Sequence, residues 1–193
     1  MSERPLRGRL RVAVIMGGQS AERDVSVRTG ATIVKELCRD HRVRPVEILA
    51  SGKWSVAPGF VGEGVGLDPA AWFHGGGEHL LDALSGLREA GLDIAFNALH
   101  GPMGEDGTIQ GLFRMVGLPF TGPDVIPAAV TMDKRLTKQV LQAAGIPTPR
   151  FFALKASRVV DGSKDWVRVF QREAERLPFP WILKPNRLGS SVG

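Results

Sequence analysis

The chain has 193 residues, of which 43% are hydrophobic, with 24 Gly, 13 Pro and a formal net charge of +5. That length supports one good core, or one domain and part of another, and the scattered Gly and Pro suit a loop-rich α/β chain rather than a disordered one. No apolar run reaches the length of a membrane span, the N-terminus lacks a signal-peptide core, and no Lys/Arg run is interleaved with aromatics, so neither a membrane nor a nucleic-acid partner is expected. The mild basic excess fits an anionic small molecule such as a nucleotide. Cys38 is the single cysteine. An intrachain disulfide and a multi-cysteine metal site are thereby ruled out, and a reducing cytoplasm is expected.

Residues 1–10 read as a polar leader, and Arg4, Arg7, Arg9 and Arg11 as a solvated N-terminal cluster. Val12 to Met16 reads as a short buried strand. The turn Gly17-Gly-Gln-Ser-Ala-Glu22 follows it, and Val27, Ile33, Val34 and Leu37 then mark a helix that leaves Cys38 as packing. Gly17 and Gly18 permit close backbone approach, but they are not the G-x-G-x-x-G dinucleotide fingerprint, so no nicotinamide cofactor is inferred. Glu22 lies in this loop, where a carboxylate can hold an ammonium group or simply favour the positive end of the helix. Arg44 to Leu49 reads as a second strand, with Lys53-Trp54 opening another short one. Residues 51–79 are otherwise glycine-rich and without a clear pattern, the stretch from His74 to His79 reading as a mobile surface loop. His74 and His79 flank Gly75 to Gly77 there, two histidines being too few for a metal site.

Leu80, Leu81, Leu84 and Leu87 predict a helix ending at Gly91. Leu92 to Leu99 reads as a buried strand running into His100, three glycines, the acid pair Glu105-Asp106 and a helix from Thr108, its expected N-cap, to Val116. Loops at strand carboxyl ends are where open α/β sheets place ligands. From the loop alone, a tight turn with a satisfied histidine is an equal alternative. Glu105 and Asp106 read as turn and cap residues rather than a metal pair. Beyond lie an expected strand at 118–122, a helical step at 126–130, and a helix from Met132 stopped by Gly145, Pro147 and Pro149. A strand at 151–154, an amphipathic helix over 166–177 and a strand at 181–185 follow. Gly189-Ser-Ser-Val-Gly193 has a composition suited to phosphate oxygens, with Lys184 and Arg187 just before it.

Five stretches in order resemble the D-alanine–D-alanine ligase family of the ATP-grasp superfamily: Met16-Gly-Gly-Gln-Ser-Ala-Glu-Arg-Asp-Val-Ser26, Leu99-His-Gly-Pro-Met-Gly-Glu-Asp-Gly-Thr-Ile-Gln-Gly111, Met132-Asp-Lys134, Ala144-Gly-Ile-Pro147, and Lys184-Pro with Arg187 and Gly189-Ser-Ser-Val-Gly193. The resemblance implies an N-terminal parallel-sheet α/β domain over 11–127 and the first part of an ATP-grasp module over 128–193. It implies ATP-dependent joining of two D-alanines through an acyl phosphate for peptidoglycan precursor synthesis, with Mg²⁺ on the phosphates. Glu22 would engage the first D-alanine's ammonium, His100 would lie near its carboxylate, and Ser190 would bond the Glu22 position. Lys134, Lys184 and Ser191 would hold the nucleotide phosphates. A homodimer is also implied. The family's metal ligands, adenine pocket and oxyanion-stabilising arginine lie beyond the position of Gly193. We therefore expect a truncated chain that is inactive alone, which an ADP-release assay with D-alanine tests. A D-lactate- or D-serine-using relative, and a non-catalytic ligand-binding α/β module, are the alternatives.

Overall fold

The computed structural model describes residues 8–73, 75–155, 165–177 and 179–188. Strand β1 (Arg11–Gly17) leads through a tight turn into helix α1 (Arg23–Leu37), and β2 (Arg42–Ile48) and β3 (Trp54–Val56) follow. Next come α2 (Leu80–Glu89), β4 (Ile94–Asn97), α3 (Thr108–Met115), α4 (Val125–Met132), α5 (Lys134–Ala143) and α6 (Asp165–Ala174). The strands lie in the order β3-β2-β1-β4. β1 pairs in parallel with β2 and β4, whereas β3 runs antiparallel to β2. The sheet is therefore mixed rather than wholly parallel.

β1 is the central strand and is buried on both faces, which explains its unbroken apolar sequence. Its side chains alternate between two cores. Ala13 and Ile15 pack with Ala83 and Leu87 of α2 and Ile109 and Phe113 of α3. Val12, Val14 and Met16 pack on the other face with Val34 of α1 and with Trp72. The chain leaves β1 toward β2 on one side, and β4 sits on the other. β1 and β4 thus flank a topological switch point, with both carboxyl ends opening at the same edge.

Residues 51–79, whose glycine content gives no clear pattern, are anchored to the core. Val61, Val65 and Trp72 are buried in the second core, and the Trp72 indole N–H donates to the Gly66 carbonyl at 2.9 Å. Large apolar anchors spaced between the glycines tie the segment down. His79 precedes α2, and His74 lies outside the described residues. Phe120 makes one parallel bridge to Ala95 in place of the strand expected over 118–122.

Among the described residues, 151–154 and 181–185 form no strand. Both are apolar, but a strand is defined by its ladder, and no described segment pairs with either. They meet through aromatic rings instead: Phe170 of α6 packs edge-on to Phe152 and to Trp181 at 5.8 Å each, while Ile182 and Leu183 stay exposed. Cys38 caps α1 half-buried, and burial pushes its thiol pKa up, as suits a packing role. Among the described residues, no helix is long and apolar enough to cross a membrane.

Ser26 fastens the switch point. Its hydroxyl, fully buried in α1, accepts from the Gly17 amide at 2.8 Å and donates to the Ala98 carbonyl at 2.7 Å. The exits of β1 and β4 are thus tied to one atom. Replacing Ser26 by Ala leaves two buried backbone groups unpaired. We expect Ser26→Ala to cost about 2–4 kcal/mol in urea unfolding; a change below ~0.5 kcal/mol would show that the hydroxyl does not hold the two exits together.

Candidate active site

The loops after β1 and β4 meet above the sheet. Gly17 turns the first one at φ +87°, a conformation in which a side chain would collide with the Ile48 carbonyl, and the Gly18 amide donates to that same carbonyl at 2.7 Å. The Ser20 hydroxyl then crosses to the second loop and donates to the His100 carbonyl at 2.8 Å. It also accepts from the Glu22 amide at 3.2 Å. One serine therefore links the two turns.

Glu22 is the N-cap residue of α1, with φ −93° and ψ 11°, the sparsely populated bridge region where many active-site residues sit. Its carboxylate makes no capping bond to the helix. Oε2 is buried and has no hydrogen-bond partner among the described residues. It lies so close to Gly101 that a Cβ there would sit 2.5 Å from it, at a backbone φ of +72°. Gly101 is thus required twice, for its turn and for the space it leaves. The neighbouring Arg23 forms an ion pair with Glu47, and its buried Nε has no partner among the described residues.

A cavity of about 240 Å³ opens at this junction. Gln19, Ser20 and Glu22 give it a polar side, and Ala21, Pro102, Met103 and Leu188 an apolar one. The second loop is braced from within. Glu105 accepts the Gly101 amide at 2.7 Å, and Asp106 accepts the amides of Met103 and Thr108 at 3.0 Å each. These two acids are turn and cap residues, as the sequence suggested. Gly107, not Thr108, occupies the N-cap position of α3, because Asp106 already supplies the capping oxygen from one residue earlier.

His100 shares the junction but does not line the cavity. Its Nε2 sits 3.3 Å from the Thr29 hydroxyl of α1, so the ring is seated against the helix. Glu22 and His100 therefore come from two loops into one neighbourhood, joined through Ser20 and Gly101.

Leu188 reaches the cavity from far along the chain. Its segment docks on the N-terminus of α5. The Lys134 amide donates to the Asn186 carbonyl at 3.1 Å, the Arg135 amide to Asn186 Oδ1 at 2.9 Å, and the Lys134 ammonium to the Leu188 carbonyl at 2.6 Å. The buried Asp133 caps α5 through the Leu136 amide and accepts from Arg187 Nε at 2.9 Å. Lys184, exposed, lies just upstream of this contact. Ser190 and Ser191 lie outside the described residues. Among the described residues, no cluster of three or more His, Cys, Asp or Glu could hold a metal ion. Sequence reasoning missed Ser20, Gly101 and Met103 as individuals, because their part depends on which loop faces which.

Fold and cleft together define an α/β domain that opens a part-acidic, part-apolar cavity at its strand carboxyl ends. A family model described as D-ala D-ala ligase N-terminus matches residues 11–123, and one described as D-ala D-ala ligase C-terminus matches residues 140–193. The chain belongs to the D-alanine–D-alanine ligase family. A D-alanine–D-alanine ligase of Deinococcus radiodurans is 40% identical over 95% of this chain and 51% of its own length. The solved D-alanine–D-alanine ligase of Coxiella burnetii superposes with a TM-score of 0.68 at 28% identity, covering 96% of this chain and 53% of that one. The VanG D-Ala:D-Ser ligase of Enterococcus faecalis does so equally, at 0.68 and 28%, over 95% and 54%. The chain spans about half the length of the curated relatives it matches.

Hydrogen bonds from the Leu136 amide hold the Asp133 carboxyl down at about 2; burial works against this, and Arg187 and Asn186 reinforce it. A depressed carboxyl contributes stability that is complete above its unfolded value of about 4 and is lost as pH falls through the folded value. Asp133→Asn keeps a capping side chain but not the charge. The stability gap between wild type and Asp133→Asn should be ~1 kcal/mol above pH ~4 and close toward pH 2; a gap independent of pH in urea unfolding would remove the charge pair from the docking of residues 186–188.

Proposed function

We propose that this chain provides the first-substrate half of an ATP-dependent ligase that joins two D-alanines into D-alanyl-D-alanine for peptidoglycan precursor synthesis. The observation that carries this reading is the buried Glu22 Oε2, without a hydrogen-bond partner among the described residues, on a residue that lines a small cavity. A buried carboxylate oxygen without a donor is costly, and an amino acid's ammonium is a donor that fits it by charge. Holding the ammonium there leaves the substrate carboxylate free to face a phosphoryl donor. That carboxylate attacks the γ-phosphate of ATP, ADP departs, and the amine of the second amino acid displaces phosphate from the acyl phosphate.

His100 serves as a positioner, with its ring set on Thr29 and its carbonyl on Ser20. Lys134 and Lys184 act as point charges for nucleotide phosphates. The support for this is that residues 186–188 bring the region of Lys184 to the start of α5, where Lys134 sits. Ser190 would bond the Glu22 carboxylate, and Ser191 would continue the phosphate contacts. The described residues do not fit a divalent-cation site, so no step is routed through Mg²⁺, which in such a ligase would neutralise phosphate charge. The likeness to the D-Ala:D-Ser ligase supports a second reading in which the second amino acid is D-serine, with the Glu22 pocket unchanged. A cytoplasmic homodimer is the setting we assign.

Titration of the chain with D-alanine tests the central contact. Glu22→Gln removes the charge while keeping the shape, and should weaken D-alanine binding by about 10- to 100-fold. Equal affinities of wild type and Glu22→Gln by calorimetry would show that the ammonium does not sit on this carboxylate.

A further inference from the structure

Met103 is the non-glycine residue with positive φ among the described residues, at 71°. L side chains resist that conformation, so something must impose it. The Met103 amide is held by Asp106 Oδ2 at 3.0 Å, and the Met103 carbonyl accepts the Ile109 amide at 3.1 Å. The next residue is fixed as firmly. The Gly104 carbonyl accepts both Asn97 Nδ2 at 2.9 Å and the buried Gln110 Nε2 at 2.8 Å. Gly104 also rests so near Leu99 that no side chain would fit between them. A non-glycine residue kept left-handed by bonds on both sides, at the wall of a cavity, is backbone strain placed where it shapes a ligand.

The wall it shapes is apolar. Met103 lines the cavity beside Pro102, Ala21 and Leu188, with Glu22 on the polar side. Once Glu22 takes an amino acid's ammonium and the carboxylate faces the phosphoryl donor, the amino acid's side chain is left with the apolar wall. Leu188 belongs to a separate segment whose neighbouring Arg187 lies largely in solvent. Met103 belongs to the braced loop, and is the wall member whose backbone cannot retreat. We propose that Met103 sets the size limit on the side chain of the first amino acid, admitting a methyl and excluding longer groups. This rests on the reading of Glu22 as the ammonium acceptor.

The test is calorimetric titration of the full 193-residue chain with D-alanine and with D-2-aminobutyrate, which is one methylene longer. Wild type should prefer D-alanine. Met103→Gly accepts the positive φ without strain, so the fold is kept while the wall is removed. It should lower the preference for D-alanine by about tenfold or more, the scale at which a pocket distinguishes one methylene. Met103→Phe, which fills the wall, should raise the preference. Preferences unchanged in both variants, with D-alanine still bound by wild type, would overturn the role of Met103 and leave the Glu22 reading intact. A wild-type chain that binds no D-alanine would overturn the Glu22 reading and this one with it.

Discussion

The Ser26 hydroxyl sits where three backbone segments meet: the end of β1, the first turns of α1 and the exit of β4. It accepts from Gly17 and donates to Ala98, so both bonding directions of one oxygen are used inside a fully buried site. A parallel sheet sets strand register but leaves the loops beyond it free. Here the first residues of both loops are referred to the same atom. Everything above that point, including Ser20 reaching His100 and Gly101 pressing on Glu22, inherits its position from this clamp.

Against that rigid base, the carboxylate of Glu22 stands out because its buried Oε2 has no hydrogen-bond partner among the described residues. Around it, the Gly101 amide bonds Glu105 and the Met103 and Thr108 amides bond Asp106, while Arg23 pairs with Glu47 but leaves its buried Nε without a partner among the described residues. Among the described residues Glu22 Oε2 is a buried carboxylate oxygen left without a donor, a cost that a donor brought to it would offset. Local rules broken at one position, amid consistent structure, mark functional sites. Positive φ at Met103, in the same wall, is a second such break.

Much of the scaffold was legible in the sequence. β1, α1, β2, α2, α3 and α5 carry strong apolar periodicity or sharp stops, and Gly91 and Gly145 end their helices with the positive φ that the sequence implied. The direction of β3 was not legible, because three residues of alternating pattern do not encode which way a neighbour runs. Residues 181–185 misled for a related reason: an apolar run does not by itself make a strand, which needs a partner with free backbone groups, and among the described residues this one stays exposed without such a partner. The glycines of 51–79 hid a buried core built on Trp72. At the site, Glu22 and His100 came from a family resemblance; their residue types alone left a bland alternative open. The Asp133–Arg187 pair spans 54 positions, and no local pattern joins them. Met103 was hidden because the sign of φ at a methionine is decided by its neighbours' hydrogen bonds.

The most direct measurement is a crystal structure of this chain with D-alanine bound. Glu22 as the ammonium acceptor predicts the amino nitrogen about 2.8 Å from Oε2, the distance of a charge-assisted bond, with the methyl group toward Met103. An amino acid bound elsewhere on the molecule, or turned so that its carboxylate faces Glu22, would contradict it.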